Sequence, residues 1–209
     1  CPEACRMTFG VVPGYPELHV LDSTVPSQVK SFEERVDLEH TLCIVASKSG
    51  TTTEPLVFQK YFFERMRQVK GERAGENFIA ITDPGSLLEQ VAKELKFRHI
   101  FPGALEIGGR YSALSNFGLV PAALMGVNIE RFIQRAERMR HSCDSTVPVA
   151  ENPGVELGAV LSEQLVRAEA IGVQLSHEGL GVLGETRRED HELVVLGHPV
   201  QELAHSGPH

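Results

Sequence analysis

The stretch "LCIVASKSGTTTEPLVFQKYFFERM", residues 42–66, decides the fold. Leu42–Ala46 are apolar and too few for a helix, which predicts a buried strand, whereas from Leu56 onward apolar residues recur at helical spacing. Between them lie Lys48, Gly50 and five hydroxyl residues, Ser47, Ser49, Thr51, Thr52 and Thr53. A strand that turns directly into a helix is the opening of a βαβ unit.

The pattern repeats outward from that unit. "ELHVLDS" (17–23), "TLCIVAS" (41–47), "FIAITD" (78–83) and "FRHIF" (97–101) are short, rich in β-branched residues and predict strands. Residues 26–38, 54–70 and 85–95 predict the helices between them. Strands alternating with helices at this spacing give an α/β fold, a doubly wound parallel sheet covered on both faces. Residues 111–126 carry no charge and predict a buried helix that Pro121 kinks or breaks, and 128–142 predict an amphipathic one.

Ligands of open parallel sheets bind at the carboxyl ends of the strands, where Ser47–Pro55 falls. The helix that starts there offers N–H groups and the positive end of its dipole to an anion. Hydroxyls of Ser47, Ser49, Thr51 and Thr52 add short-reach donors, Lys48 adds a full charge, and Gly50 permits a tight backbone. The group that matches this set is a phosphate monoester. The plainer reading is a capping box between Thr51 and Glu54. The Walker pattern is excluded, because the lysine precedes the glycine and no Gly-Lys-Ser/Thr closes the loop. A second candidate is "EIGGRYSALS", Glu106–Ser115, where Gly108 and Gly109 let the backbone approach a ligand and Arg110 heads a helix. "ITDPGS" (81–86) reads as a plain strand-ending turn without chemistry.

Composition narrows the function classes. A net charge of −8 and 42% hydrophobic residues in 209 describe a globular chain with no diffuse attraction to nucleic acid. No apolar run approaches the length of a membrane span, and the start lacks a signal pattern, so a cytoplasmic location is expected. The four cysteines are too irregular for a disulfide framework, and Cys43 reads as a small buried hydrophobe. "CPEAC" has no matching Cys/His pair downstream, and no metal site is expected. The chain has no initiating methionine and is expected to begin inside a longer protein.

"TLCIVASKSGTTTEP" together with "IGGRYSALSNFGLVPAALMGV" resembles the glucose-6-phosphate isomerase family, in the bacterial form found alone or fused to a transaldolase. "TFGVVPGYPELHVLDST" and "FIAITDPGSLLEQVAKELKFRHIF" share the likeness, which covers roughly residues 5–160. The resemblance implies a sugar isomerase domain over 1–160 that interconverts glucose 6-phosphate and fructose 6-phosphate through a cis-enediol, without metal or organic cofactor, in a family that is dimeric. It implies that Ser47, Lys48, Ser49 and Thr52 hold the sugar phosphate, supported by Gly50, Thr51, Gly108 and Gly109, and that Arg110 stabilises the enediolate. The family's glycine-rich sugar-binding turn and its base-bearing glutamate segment have no counterpart in the chain. "SEQLVRAEA" (162–170) only echoes the latter, so neither Glu163 nor Glu169 is assigned as the base, and no histidine sits in the ring-opening context. A phosphosugar sensor without catalysis is the alternative. Residues 161–209 read as an irregular, divergent tail, either disordered or not family-derived, in which Gly197 and Pro199 interrupt the heptad spacing of His191, His198 and His205.

Overall fold

The computed structural model describes residues 2–170 and 193–197. The described residues divide into two units, one of residues 2–127 with 193–197 and one of residues 128–170.

The first unit is a five-stranded sheet between helices. Its elements are α1 (Pro2–Phe9), β1 (Glu17–Leu21), α2 (Pro26–Arg35), β2 (Leu42–Ala46), α3 (Thr53–Lys70), β3 (Phe78–Thr82), α4 (Leu87–Glu94), β4 (His99–Pro102), α5 (Asn116–Leu124) and, from the tail, β5 (Leu193–Gly197). Strands β2, β3 and β4 pair in parallel, with Ile44 opposite Ile79 and Ala80 opposite Ile100. The strand order is β1-β5-β2-β3-β4, and β5 runs antiparallel to both β1 and β2. The expected parallel sheet is present, with one reversed strand supplied by the segment read as an irregular tail. His191, His198 and His205 lie outside the described residues.

Alternation along the strands divides the core in two, because successive side chains point to opposite faces. Cys43, Val45, Phe78 and Ala80 point to one face and pack with Phe32 of α2, Phe58, Phe62 and Met66 of α3, and Leu88 and Ala92 of α4. Ile44, Ala46, Ile79 and Ile81 point to the other, against Cys5 of α1 and Phe117, Val120 and Met125 of or just after α5. Both faces are therefore covered. Phe58, Phe62 and Phe78 are essentially buried, each worth about 1.5–3 kcal/mol of apolar burial. Cys43 is fully enclosed, and burial pushes its thiol up to about 12, which keeps it a neutral hydrophobe.

Pro121 does not break its helix. It is the sixth residue of α5, and the interruption comes earlier, at Ser115, which caps α5 by accepting from the Phe117 N–H. A proline this close to a helix end removes only one late hydrogen bond.

The second unit holds α6 (Ile129–Ser142) and α7 (Pro153–Ala170). Asn128 caps α6 through Arg131 N–H, and the buried Asn152 accepts from the N–H groups of Gly154 and Val155 at the start of α7. Helix α7 continues unbroken through residue 160, and Glu163 and Glu169 both fall on it.

Candidate functional site

The Ser47–Thr52 turn is built largely by its own residues. Ser47 extends the β2–β3 ladder by donating its N–H to the Ile81 carbonyl at 3.0 Å, while its buried Oγ accepts the Gly50 N–H at 3.1 Å. Gly50 has φ +67°, and a Cβ there would lie 2.6 Å from the Leu88 backbone nitrogen. Both conformation and space demand glycine. Ser49 Oγ accepts from the Thr51 N–H at 3.3 Å and from Thr51 Oγ1 at 3.0 Å.

The capping box expected between Thr51 and Glu54 does not form. The cap position is Thr52, one residue later than the box requires, and Thr52 makes no side-chain capping bond. Pro55 occupies the third helical position and has no N–H to be capped. Hydroxyl residues are therefore gathered at the start of α3 without a helix-closing role for the cap residue.

Lys48 is engaged within the protein. Its ammonium donates to Asp83 Oδ1 at 2.8 Å and to the Ala104 carbonyl at 2.7 Å, and stands 5.8 Å from the centre of the Phe117 ring. Its carbonyl accepts from the Asp83 N–H at 3.1 Å and from Thr82 Oγ1 at 3.3 Å. The charge expected for a ligand is met by a carboxylate of the neighbouring strand end. Asp83 lies in the "ITDPGS" turn, which reads in sequence as a plain strand ending without chemistry. The available signal was its position at the carboxyl end of a parallel strand next to β2.

Gly103, which follows β4, donates its N–H to the Thr82 carbonyl at 2.7 Å, and a Cβ on it would lie 2.0 Å from Asp83 Oδ1. The ends of β2, β3 and β4 thus meet around one lysine and one aspartate.

The Glu106–Ser115 loop is organised differently. Gly108 precedes a 3₁₀ segment, Gly109–Leu114, so Arg110 heads that segment rather than an α-helix, which begins only at Asn116. The buried Ser112 donates its hydroxyl to the Gly109 carbonyl at 2.6 Å, and Ser115 Oγ donates to the Ser112 carbonyl at 2.7 Å. Gly118 seats the segment on α5, since a Cβ there would meet the Ala113 carbonyl oxygen at 2.1 Å. Gly108 has an ordinary backbone, and among the described residues the nearest atom to an added Cβ is Tyr111 Cδ2 at 3.9 Å. Tyr111 is 83% exposed. The Arg110 side chain lies outside what the structure describes.

The structure brings Ser47, Lys48, Ser49, Gly50, Thr51 and Thr52 into one turn, and ties that turn through Lys48 to the stretch leading to Gly108, Gly109 and Arg110. Such a turn can receive an anion through hydroxyl and backbone donors at the head of α3.

A glucose-6-phosphate isomerase of Carboxydothermus hydrogenoformans is 32% identical over 166 residues, covering 78% of this chain and 35% of the relative. One from Trichormus variabilis is 35% identical over 152 residues, covering 68% of this chain and 27% of the relative. The chain thus spans about a third or less of these relatives' length. A crystal structure of a hypothetical protein from Thermus thermophilus superposes with a TM-score of 0.62 at 28% identity, covering 69% of this chain and 34% of that one. The phosphoglucose isomerase family matches residues 11–173, which include both candidate loops and most of the described chain, and the chain belongs to that family.

Proposed function

We propose that residues 1–160 form the phosphosugar-binding domain of a glucose-6-phosphate isomerase, and that the Ser47–Thr52 turn receives the phosphate of glucose 6-phosphate or fructose 6-phosphate. The observation that carries this reading is the turn itself: a glycine-dependent loop that gathers Ser47, Ser49, Thr51 and Thr52 at the start of α3, beyond what its helix needs. Lys48 belongs to the same turn.

In this reading Arg110 acts on the reacting end of the sugar. After ring opening, a proton moves between C1 and C2, and negative charge develops on the adjoining oxygens. A guanidinium held near those oxygens stabilises the enediolate more than the open-chain sugar, which lowers the barrier. The proton itself requires a general base. That base would come from the part of the isomerase that the relatives possess and this chain does not span.

Calorimetric titration of the purified chain with fructose 6-phosphate and with fructose tests the reading. Heat from the phosphorylated sugar alone, with affinity about tenfold weaker in a Ser49→Ala variant, is the expected result. Equal binding of both sugars, or of neither by a chain that circular dichroism shows to be folded, rejects it. A sensor without catalysis has no use for a charge on the enediolate side. Loss of turnover without loss of binding in an Arg110→Ala variant of the complete enzyme therefore separates the two.

A further inference from the structure

Lys48 and Asp83 are thirty-five residues apart in sequence, and only the parallel pairing of β2 with β3 brings them together. Their contact is one of several that converge on the same point. The Lys48 carbonyl is held by the Asp83 N–H and by Thr82 Oγ1, Thr82 Oγ1 lies 2.7 Å from Ser86 Oγ, and Ser86 caps α4 by accepting from the Glu89 N–H. The ammonium then reaches across to the Ala104 carbonyl, in the loop that leads to Arg110. The two side chains are 22% and 18% exposed, so the pair is partly withdrawn from water and is screened less than a surface ion pair.

We propose that Asp83 is a positioning residue: it engages the Lys48 ammonium as a crosslink between the phosphate turn and the Gly103–Arg110 loop, and Lys48 serves phosphate binding through that crosslink rather than as a charge placed on the phosphate. The inference deepens the phosphate-site reading and rests on it for the word phosphate. The crosslink itself rests on the contacts alone.

Charge makes the two roles of Lys48 distinguishable. An ammonium that binds phosphate directly is partly neutralised by Asp83, so removing the carboxylate charge frees it and strengthens phosphate binding. An ammonium that works as a crosslink loses its anchor when the carboxylate goes, and binding weakens. Asp83→Asn therefore shifts affinity in opposite directions under the two roles.

The test uses the 209-residue chain, with Lys48→Met, Asp83→Asn and the double variant, titrated with fructose 6-phosphate and with inorganic phosphate. The crosslink predicts that each single variant weakens fructose 6-phosphate by about tenfold and that the double variant is no worse than either single one, as expected for two residues acting as a unit. Unchanged or tighter binding in Asp83→Asn, with loss in Lys48→Met, overturns the proposal. Asp83→Glu keeps the charge and displaces the oxygen, so it serves if Asp83→Asn does not fold: a loss supports the crosslink and full affinity overturns it. Hydrogen exchange on the free variants gives a readout that needs no ligand. Faster exchange in both residues 47–56 and 103–115 supports the crosslink, and a change confined to the first segment rejects it. If the unaltered chain binds neither ligand, the phosphate reading fails, and the exchange pattern still decides the crosslink.

Discussion

Two glycine-bearing loops stand at the carboxyl end of the sheet, and they are held in different ways. In the Ser47–Thr52 turn, glycine is imposed by the fold: Gly50 has a positive φ and lies against the Leu88 backbone. In the Glu106–Ser115 loop, Gly108 has neither constraint, and Tyr111 beside it is open to solvent. The first turn is shaped by its own protein contacts. In the second, the fold leaves space at Gly108 that a side chain would narrow. Under the proposed function the difference fits two tasks, because a phosphate is carried unchanged through an isomerisation and suits a fixed cradle, whereas the reacting carbons change charge and geometry.

The largest test of that difference is Gly50→Ala against Gly108→Ala. Alanine at 50 combines a left-handed backbone with a backbone clash, a cost of roughly 3 kcal/mol. Alanine at 108 keeps an ordinary φ and meets only ordinary contact, so its stability should change by less than about 0.5 kcal/mol. Urea unfolding of both variants, followed by circular dichroism, checks this. Similar midpoints for the two would break the comparison.

Ser47→Ala comes next. The hydroxyl is buried and accepts the Gly50 N–H, so its removal strands a donor inside the turn at a cost of about 1–3 kcal/mol. The loss should appear as a lower unfolding midpoint in the absence of any sugar. Ser49→Ala removes an exposed hydroxyl that contacts only Thr51 within the turn, and should move stability by less than about 0.5 kcal/mol. Under the proposed function it nevertheless weakens fructose 6-phosphate by about tenfold, the worth of a hydrogen bond to a charged group. Arg110→Ala should leave that affinity nearly unchanged. Equal affinity losses in Ser49→Ala and Arg110→Ala would dissolve the division of labour between the loops.

The Ser47–Thr52 turn was legible because its signals are local. An apolar run, a cluster of hydroxyl residues and a helical repeat follow one another within Leu42–Met66. The same locality gave β2, β3 and α3 to within a residue or so at most ends. Asp83 was illegible because its partner is distant in sequence and the turn around it has every feature of a plain strand ending. The β5 strand is hidden in the sequence for a related reason. "LVVLG" is a fair strand signal, apolar and β-branched, but it sits among glycines, prolines and histidines. Its place between β1 and β2 depends on antiparallel pairings with residues some 150 or more positions away, which no local pattern encodes. Arg110 reads in sequence as heading a helix because the uncharged run "YSALSNFGLVPAALMG" follows it directly. Ser115 resets the chain by capping a new helix, and the preceding residues tighten into 3₁₀ geometry.

The smallest expected effect lies away from both loops, at His19 on β1. Among the described residues its Nε2 is buried without a hydrogen-bond partner, Glu17 Oε2 stands 3.9 Å away, and its ring meets Phe32 edge-on at 6.3 Å. Burial is the leading cause that lowers its pKa below the ordinary histidine value of 6.5, opposed by Glu17 and reinforced by Arg35 and Arg6. The unfolded chain therefore binds the proton more readily than the folded one. Stability is unaffected by this group above about pH 6.5, and falls as the pH drops below that value until the folded-state pKa is passed. Melting temperature measured between pH 7.5 and about 5 should decline more steeply in the unaltered chain than in His19→Phe, which has no proton to take up. The turn at Ser47–Thr52 is built from hydroxyls and backbone groups that do not titrate in this range, so hydrogen exchange across residues 47–56, corrected for its intrinsic pH dependence, should show no His19-dependent change. A His19→Phe variant that altered acid sensitivity in that turn as well as at the β1 edge would show the cradle to be coupled to the sheet margin, and not shaped by its own contacts.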